Sequence, residues 1–148
     1  MTDIIDQIEQ HANAIAAGEI ESVRPGMPAA FTKACHPGDA IRQGDLYLVV
    51  ADRVPYGYEL SKSPIVQLVP GNTQGSKHCL DTVEGVDVYL PEGWNDESLE
   101  GPCIVTKAEC KVLHPTHGHI AIPAWMIVVC HYQREWVKEE EKERRARD

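Results

Sequence analysis

The chain has 148 residues, of which 43% are hydrophobic and 25% charged, and a formal net charge of −9. This length suits one domain with a single core. No apolar run approaches the roughly 20 residues that a membrane span needs. An acidic chain with one phenylalanine is unlike a nucleic-acid-binding surface, which needs a basic patch. We therefore expect neither nucleic acid nor a membrane as a partner.

The N-terminal residues 2–6 lack the basic start and apolar core of a signal peptide. This predicts a cytoplasmic protein. Five cysteines occur without CxxC spacing, which excludes zinc-ribbon patterns. Cys103, Cys110 and Cys130 stand in apolar runs and are expected to be reduced core residues. Cys79, beside His78, is the one cysteine with the setting of a ligand.

Residues 3–17 are predicted to form a short amphipathic helix that ends at Gly18. Its apolar positions follow three-to-four spacing: Ile4, Ile5, Ile8, Ala12 and Ile15. So short a helix persists only when docked. Its own core is the expected dock, and a protein partner or second copy is the alternative.

From residue 45 the pattern becomes that of strands, and residues 24–44 are predicted to be loop. Short apolar, β-branched runs predict strands over 46–50, 65–69, 86–90, 103–113, 120–123 and 126–132. No helix-length period separates them, which disfavours a parallel α/β sheet. The fold class is therefore mainly β, a small antiparallel barrel or sandwich with a helix at each end.

Residues 134–148 are predicted to form a charged, solvated helix. Glu140 and Arg144, and likewise Glu141 and Arg145, are spaced i, i+4 with the acid first. Arg134 is expected to brace the fold, with an anion clamp as the alternative. The predicted organisation is thus one domain over 1–148: a helix within 1–20, a β core over 41–133 and a helical tail over 134–148.

Three imidazoles fall within six residues, at His114, His117 and His119. Histidine is the side chain most often recruited for metals and for proton transfer near neutral pH. In an extended strand His114 shares a face with Cys110 and Val112, so it is expected to project from the core-facing row. The alternative is that these are surface histidines, as we expect of His11, His36 and His131.

His78 follows a glycine-containing loop and is the best further ligand. A histidine pair from one strand and a third from another is a common three-nitrogen metal site. The predicted metal ligands are therefore His78, His114, His117 and His119. Asp81, Glu84 and Glu109 are available carboxylates. The ion would be zinc, iron, manganese or nickel, a choice that ligand type alone does not make.

Three short motifs together resemble a family of small uncharacterised bacterial and phage-encoded proteins. That family's pattern is Gly-His-x-His, then His-Glu-Glu-His-x-x-Ile-x-Leu-Pro, then Gln-Arg-Glu-Tyr. The corresponding segments here are residues 75–78, 114–123 and 133–136. The resemblance covers about residues 41–137 and implies that His78, His114 and His117 form one set. Ser76, Pro115 and Thr116 replace a histidine and two acids, which puts a four-ligand site in doubt.

Two functions of different classes remain open. The first is a domain that binds a divalent metal through clustered histidines, with metal-assisted hydrolysis as its chemistry. The second is a non-enzymatic structural or interaction protein, such as a phage virion or accessory component. A metal-free small-molecule pocket with Arg134 at its mouth ranks third. Convergence of the imidazoles would favour the first.

Overall fold

The computed structural model describes residues 29–70, 78–95 and 97–133 in full, and the backbone of two further strands over 134–137 and 142–145. One four-stranded sheet, the small sheet, has the order β1-β9-β8-β5. Its strands are β1 (Ala29–Ala30), β5 (Cys79–Leu80), β8 (Cys110–Leu113) and β9 (Ile120–Ile122). Its pairings are antiparallel except that of β1 with β9, which is parallel.

The large sheet has six strands in the order β2-β3-β10-β7-β6-β4, and all its pairings are antiparallel. Its strands are β2 (Ala40–Gln43), β3 (Leu46–Ala51), β4 (Glu59–Leu60), β6 (Val86–Leu90), β7 (Glu100–Thr106) and β10 (Ile127–Tyr132). The predictions at 46–50, 86–90, 120–123 and 126–132 are confirmed, because β-branched runs between turn signals are reliable strand patterns. Residues 103–113, predicted as one long strand or a strand with a bend, contain the end of β7 and all of β8, with a bend between them.

The core lies between the two sheets. Alternate residues of the large sheet, such as Leu46, Leu48 and Val128, pack in one cluster with Val112 and Ile122 of the small sheet. Cys110 and Cys130 belong to the same cluster, and Cys103 is also buried, so the three predicted core cysteines are confirmed as buried, free thiols. The fold is therefore mainly β with two sheets on a shared core. Within the described residues the sheets do not close into a barrel, so of the two predicted architectures, barrel or sandwich, the barrel is wrong.

The structure does not bear out a helix at either end of the chain. The N-terminal helix lies outside the described residues. The C-terminal helix is wrong, because β11 (Arg134–Val137) and β12 (Lys142–Arg145) pair as an antiparallel hairpin. The register of the pair sets Arg134 opposite Arg145 and Val137 opposite Lys142. A helix over these residues would have no apolar face and would be stabilised only by weak i, i+4 charge pairs, which do not outweigh the strand pairing.

Two other segments differ from expectation. Residues 40–43, predicted as loop, form the edge strand β2. Residues 65–69, predicted as a strand, make only one isolated bridge, between Gln67 and Cys79. Pro64 and Pro70 bound that segment and lack the N–H groups that would extend the ladder. Across the described residues, no helix is long and apolar enough to cross a membrane.

Candidate metal site

The ladder between β5 and β8 brings His78 to His114. Cys79 is opposite Leu113 and Leu80 opposite Val112, so one further step places His78 opposite His114. The two ring centroids lie 4.5 Å apart at an interplanar angle of 46°. The exposed fraction is 1% for His78 and 3% for His114, so neither is a surface histidine. Burial of His114 in the same row as Cys110 and Val112 confirms the predicted alternation.

The turn that follows β8 adds His117 to the pair. Gly118 has a φ of 82°, which glycine adopts without steric cost, and the chain reverses there into β9. The His117 ring lies 4.3 Å from that of His114, at 43°, and is half-buried. We call His78, His114 and His117 the histidine cluster. The structure thus brings together the three residues that the sequence selected as one set.

His114 also holds this turn in place. Its Nδ1 accepts hydrogen bonds from the backbone N–H groups of Thr116 and His117, both at 3.1 Å. An imidazole nitrogen that accepts two N–H groups carries no proton. In the neutral ring the proton therefore resides on Nε2, which makes His114 a donor on its other side.

Gln43, at the end of β2, fixes the opposite tautomer of His78. Its Nε2 donates to the carbonyl oxygens of Val112 at 3.1 Å and Gly118 at 2.7 Å. Its Oε1 is then the acceptor for His78 Nδ1 at 2.7 Å, so Nδ1 carries the proton and Nε2 keeps its lone pair. Gln43 is 1% exposed. Sequence reasoning missed it, because a glutamine directly before Gly44 has the pattern of a surface turn residue.

His119 contacts the backbone of the same turn. It is exposed, and its Nδ1 accepts the backbone N–H of His114 at 3.3 Å. Gly118, between His117 and His119, has a positive φ and so departs from the extended backbone in which the two histidines would share a face.

The suggested carboxylates lie elsewhere. Asp81 is three residues along from His78, roughly 10 Å away in extended backbone, and its Oδ1 accepts the N–H of Lys111 at 2.8 Å. Glu109 is five residues before His114, and Glu84 is exposed in the turn before β6. Cys79, next to His78 in β5, is half-buried. The described hydrogen bonds therefore link the histidine cluster to the Gln43 amide and to backbone groups, and none of them involves Asp81, Glu84 or Glu109.

Of the three histidines predicted to be surface residues, one is exposed, one is buried and one is not described. His36 is exposed, as predicted, and His11 lies outside the described residues. The prediction of a surface role for His131 is wrong: it is buried in β10, the strand between β3 and β7. A central strand covered on both faces buries side chains of either parity. The side chain of Arg134 is not among those described.

The described residues contain no group of three or more His, Cys, Asp or Glu side chains that is placed to hold a metal ion. In the histidine cluster, the hydrogen bond to Gln43 makes Nε2 the basic nitrogen of the His78 ring, and the ring of His114 lies next to it at 4.5 Å between centroids. An imidazole whose tautomer is fixed in this way has the chemistry of a hydrogen-bond acceptor or a metal ligand at that nitrogen.

A family model described as Domain of unknown function (DUF8820) matches residues 42–131. Since this span is more than half of the chain and contains the whole histidine cluster, the chain belongs to that family. No curated protein and no solved structure matches it. Membership of an uncharacterised family agrees with the resemblance noted above, whose detailed motif and bacterial or phage origin stay predictions.

Proposed function

We propose that this member of the DUF8820 family binds a divalent transition-metal ion at the histidine cluster. The observation that carries the proposal is the hydrogen bond from His78 Nδ1 to Gln43, at 2.7 Å. Metal-ligating histidines almost always donate their second ring N–H to such a partner, which fixes the tautomer and orients the coordinating nitrogen. Gln43 is itself held by two backbone carbonyls, so the support is rigid.

The cluster members have different proposed roles. His78 ligates through Nε2, and His117 is the second ligand because its half-buried ring lies nearest the solvent edge of the cluster. His114 is a positioning residue, since two backbone N–H groups occupy its Nδ1 and leave the proton on Nε2. His119, on the exposed side of the same turn, is proposed as a further ligand or as a proton shuttle.

The ligand atoms also limit which metal ion we propose. Imidazole suits zinc, nickel and iron, whereas manganese prefers carboxylate and carbonyl oxygens. Because Asp81 forms a backbone hydrogen bond at the far end of the ladder, we favour zinc, nickel or iron(II) over manganese. Few protein ligands leave coordination positions for water, so metal-assisted hydrolysis is the reaction class the proposal carries.

The test is calorimetric titration of untagged, chelator-treated protein with zinc and nickel salts. We expect one ion per chain and a loss of affinity of at least about tenfold in His78→Gln, which removes the ligand but can still donate to Gln43. His36→Ala, an exposed histidine of the β1–β2 connection, is the matched control and should bind as wild type does.

A second variant pair tests the positioning role of His114. His114→Asn keeps a side-chain acceptor for the turn, as asparagine does in Asx turns, and should retain most of the affinity. His114→Ala removes that acceptor and should weaken binding. Equal loss in both variants would instead make His114 a ligand.

The competing proposal is a non-enzymatic structural or interaction protein, for example a phage virion or accessory component. Its histidines would serve only to hold the turn to the sheet. Absence of metal binding in the wild-type protein, or equal binding in wild type and His78→Gln, would overturn the metal proposal in its favour.

A further inference from the structure

The outer face of the large sheet, which points away from the shared core, is buried at its centre. Val49 and Val129 are 0% exposed, and so is Cys103, which stands opposite Val129 in the register. None of the three belongs to the cluster between the sheets, whereas their chain neighbours Leu48, Val128 and Ile104 do. Strand alternation therefore places them on the opposite face.

The burial is confined to part of this face. Tyr47 and His131, opposite each other in the register, form a second buried row. The row at the end of the strands, Ala51 with Ile127, is only half-buried. A bare sheet face cannot hide a valine completely, so this burial requires cover beyond the side chains of the sheet itself.

The described contacts account for the margins of this region. The guanidinium of Arg42 lies 5.7 Å from the centre of the Tyr47 ring, on the β2 side. On the β7 side, the hydroxyl of Tyr58 donates to the carbonyl oxygen of Gly101 at 3.0 Å. Val49 and Val129 lie between these two contacts, in the central strands β3 and β10.

We propose that residues 4–15 of the same chain cover this face, with Ile4, Ile5, Ile8 and Ile15 on the valines. Of the segments whose side chains are not described, 71–77 has no large apolar residue, and 134–148 has only Trp136, Val137 and Ala146 among charged residues. Residues 1–28 alone offer an apolar stripe at helical spacing. Thirteen residues separate Ile15 from Ala29, a span of at most about 45 Å, which is enough to cross a domain of this size.

Alkylation of Cys103 in the full-length chain tests this cover. Ile8→Asp should raise the rate at which iodoacetamide modifies Cys103 by at least about tenfold, because thiol reactivity follows access to reagent. Gln10→Asp, on the opposite side of the predicted helix, should leave that rate unchanged. Cys110, buried between the sheets, reports global unfolding in the same sample and should stay protected.

Three results would overturn the proposal. The first is a Cys103 that stays protected in both Ile8→Asp and Ile5→Asp. The second is equal alkylation rates of Cys103 and Cys110 even in the milder variant Ile8→Ala. The third is protection in the wild-type chain that disappears on about hundredfold dilution, since a second copy would then supply the cover.

Discussion

Gln43 links the two sheets through the histidine cluster, and its replacement by leucine is the sharpest test of that role. Leucine has nearly the same volume, so the change removes hydrogen bonds without opening a cavity. It leaves the carbonyl oxygens of Val112 and Gly118 and the Nδ1–H of His78 without their present partner.

Each buried polar group left unsatisfied costs ~1–3 kcal/mol. With three such groups near the lower end of that range, we expect Gln43→Leu to lower the free energy of unfolding by about 3–5 kcal/mol, a large fraction of the ~5–15 kcal/mol of a typical domain. In urea, at a slope of about 2 kcal/mol per molar, the midpoint falls by roughly 2 M with little change in slope.

Gln133→Leu is the matched control. Gln133 accepts a single exposed hydrogen bond through its side chain, from Arg42 at 3.1 Å, so its loss should cost less than about 1 kcal/mol. Equal midpoints for Gln43→Leu and Gln133→Leu would refute the reasoning, because they would show that the buried amide contributes no more than a surface one.

Three further predictions concern backbone strain, burial and packing. Trp125 has a φ of 63° and is 77% exposed, so urea melts should show Trp125→Gly more stable than Trp125→Ala by about 1 kcal/mol. Burial raises the pKa of Cys103 from 9.0 to about 12 and raises that of Cys130 well above its usual value. Both thiols then keep protons that the unfolded chain releases at high pH. The free energy of unfolding is therefore constant below about pH 8 and falls between about pH 9 and 12, by up to ~1.4 kcal/mol per pH unit for each thiol. Cys103→Ala should reduce the loss of stability measured between pH 8 and 10. Gly101→Ala would place a Cβ 2.8 Å from the Tyr132 hydroxyl, which is fixed by its bond to Leu68, and should cost about 1–3 kcal/mol in the same melts.

The central strands were predictable because their patterns are local. Residues 46–50 and 126–132 are apolar, β-branched and bounded by turns, and they form β3 and β10. Strand β2 was not predictable, since Pro37, Gly38 and Gly44 bracket its residues and are typical of a loop. Residues 40–43 are a strand because they pair along β3. The helical pattern over 134–148 was misleading, because pairing of β11 with β12 overrides weak local charge pairs.

The candidate site was predictable in its members but not in its support. His114 and His117 are close in sequence, and His78 follows a glycine-containing loop, so all three could be selected. Gln43 could not, because it reaches His78 from the other sheet, 35 residues away. The burial of His131 likewise depends on what covers the outer face, which no local pattern contains.

The central claim is that His78 presents an Nε2 lone pair to a metal ion. A long-range ¹H–¹⁵N spectrum of the imidazoles, recorded before and after one equivalent of zinc, tests it most directly. We predict that His78 carries its proton on Nδ1 in the free protein, and that zinc shifts His78 Nε2 and one nitrogen of His117 while His36 is unchanged. Protonation of His78 on Nε2, or a spectrum in which zinc leaves His78 and His117 unmoved, would contradict the account.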